Sequence, residues 1–122
     1  MIRAVNSSEY PFLDIRVQIG DRFAPDYEFE VRALVDTGFD GGLAVPRRLI
    51  PGSITPMGQS VWNLAEGTEI TAFSYFCHVT IGHLQPVATV AITLDGDALL
   101  GRHVIDKFRF VFDHGRQLIV EP

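Results

Sequence analysis

The chain predicts an all-β fold, and three observations carry that expectation. Apolar and polar residues alternate with a period of two in one run after another. Turn-forming Gly, Pro, Asn and Asp residues separate the runs, about every eight to twelve residues. A helical pattern occurs only at residues 102–108. Many short strands of this kind close into a barrel or stack as a sandwich.

The elements follow in order. Leu13, Ile15, Val17 and Ile19 alternate with Asp14, Arg16 and Gln18, giving a half-buried strand that Gly20-Asp21 ends. Phe29, Val31, Ala33 and Val35 alternate with Glu28, Glu30, Arg32 and Leu34 in a second strand over 28–36. The two pair as a hairpin across residues 21–26. Residues 43–45 form a short strand stopped by Pro46, and Pro51-Gly52 and Pro56 mark a loop. Residues 57–64 and 68–82 read as strands joined at Ala65-Glu66-Gly67, and 87–94 as a strand ended by Asp95-Gly96-Asp97. Phe108, Phe110 and Phe112 begin a last hairpin, which turns at His114-Gly115-Arg116 and returns along 117–121.

The 122 residues make one domain, with 47% hydrophobic residues to fill a core and 20% charged, which excludes a disordered chain. A net charge of −5 argues against a nucleic-acid partner, which needs a basic footprint. The single cysteine, Cys77, alternates with Tyr75 and Val79 and reads as a small buried hydrophobe. No apolar run approaches the ~20 residues of a membrane helix. No charged segment followed by an apolar one opens the chain, so a cytoplasmic protein is the expectation.

The chemistry centres on Asp36-Thr37-Gly38, where the 28–36 strand runs out into Phe39-Asp40-Gly41-Gly42. An Asp ahead of a Gly commonly accepts backbone N–H bonds in a turn. A second element, Ala98-Leu99-Leu100-Gly101-Arg102, precedes the helical stretch His103 to Phe108. With both in place the chain resembles the retropepsin-like aspartic proteases, most of all their small bacterial and archaeal members. The resemblance rests on residues 29–46 and 98–121, is loose between them, and is absent from the first ten residues.

The resemblance implies a closed or partly open barrel with one short C-terminal helix, spanning residues 1–122 as a single lobe. It implies an aspartic endopeptidase, in which two carboxylates share a proton around one water. The chain has one Asp-Thr-Gly, so the second carboxylate must be Asp36 of another copy, and a homodimer follows. Thr37 would point its hydroxyl across the dimer axis, and Gly38 would let a substrate backbone approach. Phe39 stands where viral members carry a small residue and would border the cleft. A flap at 63–70, tipped by Ala65, Glu66 and Gly67 with Trp62 at its base, would close over an extended peptide. Asp40 and Arg102 would form a buried ion pair that fixes the loop. Residues 117–121 would supply a strand to the dimer interface. No cofactor is implied. The alternative is a catalytically silent dimerisation or peptide-binding module on the same scaffold.

Other sites are set aside. His78, His83, His103 and His114 lack metal-ligand spacing. The Gly-rich segment at 38–42 lacks the Lys-Ser/Thr of a phosphate loop. Asp95-Gly96-Asp97 lacks the calcium-loop pattern, and no serine has a nucleophile-elbow context.

Overall fold

A computed structural model describes residues 4–122. Its strands are β1 (Val5–Ser7), β2 (Phe12–Gly20), β3 (Pro25–Val35), β4 (Leu43–Pro46), β5 (Gly58–Asn63), β6 (Glu69–Thr80), β7 (Val87–Leu94), β8 (Ala98–Leu100), β9 (Arg109–Asp113) and β10 (Gln117–Glu121). One α-helix, α1 (Arg102–Ile105), follows β8, and a 3-10 turn at Arg47–Leu49 follows β4.

The alternation read in the sequence becomes burial. Leu13, Ile15, Val17 and Ile19 of β2 all lie in the core, while Asp14 and Arg16 face solvent. β2 and β3 pair antiparallel with Val17 opposite Phe29. β8 then lies parallel to β3, with Val35 opposite Leu100, and antiparallel to β4. β4 runs parallel to β7, and β7 pairs antiparallel with β6. β6 returns to β2, with Cys77 opposite Ile19, so the order β2-β3-β8-β4-β7-β6 closes on itself as a six-stranded barrel. Leu13, Val17, Leu43, Leu100 and Val104 fill it. Each such side chain contributes about 1.5–3 kcal/mol by leaving water. β5 hangs outside the ring on β6.

Two strands have no counterpart in the sequence pattern. β1 and β8 are three residues each, too short for a period-two signal to emerge. β8 matters most, because it carries the Leu-Leu-Gly element into the sheet beside the end of β3. The helix is also shorter than the 102–108 pattern and stops at Ile105.

A second, three-stranded sheet has the order β1-β10-β9. The β9–β10 turn has positive φ at both His114 (53°) and Gly115 (68°), the backbone twist a tight hairpin favours. Asp113 accepts bonds from Gln117 and His114, which hold its carboxyl below its usual range. The 117–121 strand, expected at a dimer edge, is instead the centre of this sheet, with a neighbour on each side. Of the two outer strands of this sheet, β9 is the longer, and its far side has no strand partner among the described residues.

Candidate active site

β3 delivers Asp36 to the barrel's end, and the neighbouring chain fixes it there. The Val35 amide donates to the Pro11 carbonyl at 3.0 Å, and the Asp36 amide donates to the Leu100 carbonyl at 3.0 Å. The Asp36 side chain folds back over its own turn: the Gly38 amide donates to Oδ1 at 2.9 Å. The Phe39 amide donates to the Asp36 carbonyl at 3.2 Å and closes the turn. Asp36 is half-buried, while Thr37 and Gly38 are exposed. The Thr37 hydroxyl makes no hydrogen bond among the described residues.

Three consecutive amides at the start of α1 hold the next stretch of loop. Gly101 donates to the Gly42 carbonyl at 2.9 Å, Arg102 to Phe39 at 2.8 Å and His103 to Gly41 at 3.1 Å. The glycines permit this approach. A Cβ on Gly101 would collide with the Gly41 carbonyl oxygen and lie 2.6 Å from the Phe39 ring. A Cβ on Gly42 would collide with the Thr89 hydroxyl, which itself meets His103 Nδ1 at 2.7 Å.

The two motif halves therefore meet, but through backbone rather than charge. The expected buried Asp40–Arg102 pair is not formed. Arg102 opens a helix whose next turn offers Asp106, and its guanidinium takes that carboxylate at 3.3 Å on the surface. Both partners are more than half exposed, at 56% and 57%. Asp40 is exposed and makes no hydrogen bond or ion pair among the described residues.

The 63–70 segment is a hairpin. Asn63 faces Glu69, the Leu64 amide donates to Thr68 and the Gly67 amide to Leu64, both at 2.8 Å. Gly67 adopts φ +90°, which an L side chain resists, and Ala65 and Glu66 project at the tip. At the base, Trp62 Nε1 donates to the Ser60 hydroxyl at 2.7 Å, and the indole lies 5.4 Å from the Phe39 ring. Phe39 thus joins the Asp36 loop to the hairpin base.

Between them is a mostly apolar pocket of about 240 Å³, bordered by Phe39, Asp40, Leu43, Trp62, Ile92 and His103. A larger hollow of about 440 Å³ lies on the outer face of β2 and β3, away from Asp36. Its Asp14 and Arg32 already satisfy each other at 3.0 Å, so it offers less chemistry. Thr89 and His103 were not singled out by the sequence as site residues. They stand fourteen positions apart, and only the fold brings them together.

No family model matches the sequence, and no curated protein does. Among solved structures the chain is similar to a retropepsin-like aspartic protease from Rickettsia conorii. The match covers 99% of this chain and 92% of that one, at 15% sequence identity and a TM-score of 0.60. The barrel with its hairpin and short helix is a retropepsin-like fold.

Proposed function

We propose that the chain is one half of a homodimeric aspartic endopeptidase. One observation carries the reading. Asp36 stands on a turn held by its own Gly38 amide and by β8, at the end of a strand in a retropepsin-like barrel. The chain has one Asp-Thr-Gly, so the second carboxylate is Asp36 of a second copy. A water between the two loses a proton to one carboxylate as its oxygen bonds to the peptide carbonyl carbon. The other carboxylic acid protonates the carbonyl oxygen. Collapse of the tetrahedral species breaks the C–N bond, and the amine nitrogen takes up the proton held by the first. The reaction asks for no cofactor. The hairpin tipped by Ala65-Glu66-Gly67 serves as the flap over an extended peptide.

The free edge of β9 is the surface for the second copy. Phe112 is 42% exposed there, and Tyr10 sets its ring edge-on to it at 6.4 Å. The next residue, Pro11, accepts the bond from Val35 at the base of the Asp36 turn. Pairing along this edge brings the interface close to the residues that must meet. A peptide-binding module without catalysis is the second reading. It is favoured by the Gly38 bond to Oδ1, which also suits a purely structural turn.

The test is Asp36→Asn. It should abolish cleavage of a mixed peptide library while leaving the unfolding midpoint and the dimer unchanged. Activity within tenfold of the parent would assign Asp36 to the turn alone.

A further inference from the structure

We infer that the pocket beside the Asp36 loop selects a basic substrate side chain, Lys or Arg, through the carboxylate of Asp40. The inference rests on the proposed function, since it names the kind of peptide that site takes. At about 240 Å³ the pocket is smaller than the roughly 300–1,000 Å³ of whole small-molecule sites and suits one long side chain. Its walls are the Phe39 and Trp62 rings with Leu43 and Ile92, which would cover an aliphatic stem. Lys and Arg have such stems and keep a charged head at the water edge.

At this pocket the charge needed to meet that head is present and unused. Asp40 borders the pocket, is exposed, and makes no bond among the described residues. The neighbouring cation, Arg102, is engaged by Asp106 at 3.3 Å. His103, the remaining ionisable group on the wall, has its Nδ1 held by the Thr89 hydroxyl at 2.7 Å. An incoming cation therefore meets an apolar sleeve and an unneutralised carboxylate. An acidic side chain meets repulsion.

The experiment compares extended peptides that differ at single positions by Lys or norleucine, which share the stem and differ in the charged head. Binding to the dimer is measured by fluorescence anisotropy at fixed pH and low salt, and cleavage of the same peptides in parallel. At one position the Lys peptide should bind about tenfold more tightly, which corresponds to ~1.4 kcal/mol. The preference should shrink on adding salt. Asp40→Asn should remove it and leave the norleucine peptide's affinity unchanged. Equal binding of the two peptides at every position would overturn the inference. So would a Lys preference that survives Asp40→Asn, or a uniform loss for both peptides, which would assign Asp40 to the substrate backbone. Binding without any cleavage would count against the endopeptidase and leave the selectivity result intact.

Discussion

The Gly101→Ala variant isolates the contact on which the site depends. Gly101 has φ −101° and ψ 178°, an extended conformation that any residue adopts, so the substitution is not penalised by backbone strain. The penalty is steric. The new methyl would collide with the Gly41 carbonyl oxygen, and would lie 2.6 Å from Phe39 Cδ2 and 2.9 Å from the Gly41 carbonyl carbon. Two of these three are backbone atoms, which cannot swing aside as a side-chain tip would. The 39–42 segment must move as a unit and stretch the bonds from the amides of Gly101, Arg102 and His103. Overpacking of this kind costs about 1–3 kcal/mol, and each bond weakened adds up to about 1 kcal/mol. A loss of about 3 kcal/mol follows. At a urea slope of about 2 kcal/mol per molar, the midpoint falls by roughly 1.5 M. The measurement is equilibrium urea unfolding at fixed protein concentration, because dimerisation adds a mass-action term. Gly52→Ala is the control: a Cβ there meets nothing within 4 Å. It should change stability by no more than about 0.5 kcal/mol. If Gly101→Ala proved as mild as Gly52→Ala, the close approach of α1 to the loop would be wrong, and with it the placement of Asp36.

Arg102→Ala should cost under about 1 kcal/mol, since its partner Asp106 is on the surface, and should add simply to Asp40→Ala; a loss of several kcal/mol with strong non-additivity would restore the buried Asp40–Arg102 pair. Burial raises the Cys77 thiol from 9.0 to about 12. The unfolded thiol therefore ionises first, and stability falls with rising pH from about 9 to about 12, by up to ~1.4 kcal/mol per unit. Urea midpoints of Cys77→Ala should lack that part of the alkaline slope; parallel slopes for the two proteins would place the thiol at the surface. Phe112→Glu should shift the protein from about twice 13.6 kDa to 13.6 kDa by light scattering, and an unaffected dimer would move the interface off β9. Trp62→Ala should speed hydrogen exchange at the Leu64 and Gly67 amides and leave β2 unchanged; unaltered exchange would mean that Phe39 does not steady the hairpin.

Much of the barrel was legible because burial follows local alternation. β2 keeps strict period two over nine residues, and β7 and β10 fall where the pattern puts them. The Asp36 turn was legible for the same reason, since a clean strand points at it. The failures share a different cause. Arg102 and Asp40 stand sixty-two positions apart and the family resemblance joins them, but in the helix the (i, i+4) carboxylate of Asp106 lies on the same face and takes the guanidinium. β10 carries an alternation fit for an edge or a centre, and only the arrival of β1 decides between them. The Thr89–His103 contact leaves no sequence signal, because β7 and α1 have no shared period.

The Asp36 loop is shaped mainly by backbone bonds to its neighbours in the fold. The Asp36 amide donates to Leu100 of β8, the Phe39 amide closes the turn on Asp36, and the amides of Gly101, Arg102 and His103 hold Gly42, Phe39 and Gly41. Under the proposed function, a second copy would bring its own turn to one already shaped by these bonds. The Thr37 hydroxyl and the Asp40 carboxylate have no partner among the described residues, and both residues are exposed. Their freedom has an energetic reading. An exposed polar group keeps its water and costs nothing until a partner or a substrate covers it, whereas a buried one must be satisfied at once. The chain fixes the geometry of Asp36 with buried backbone bonds and holds its recognition groups in solvent. Under the proposed function, those groups stay in water until a second copy or a substrate covers them.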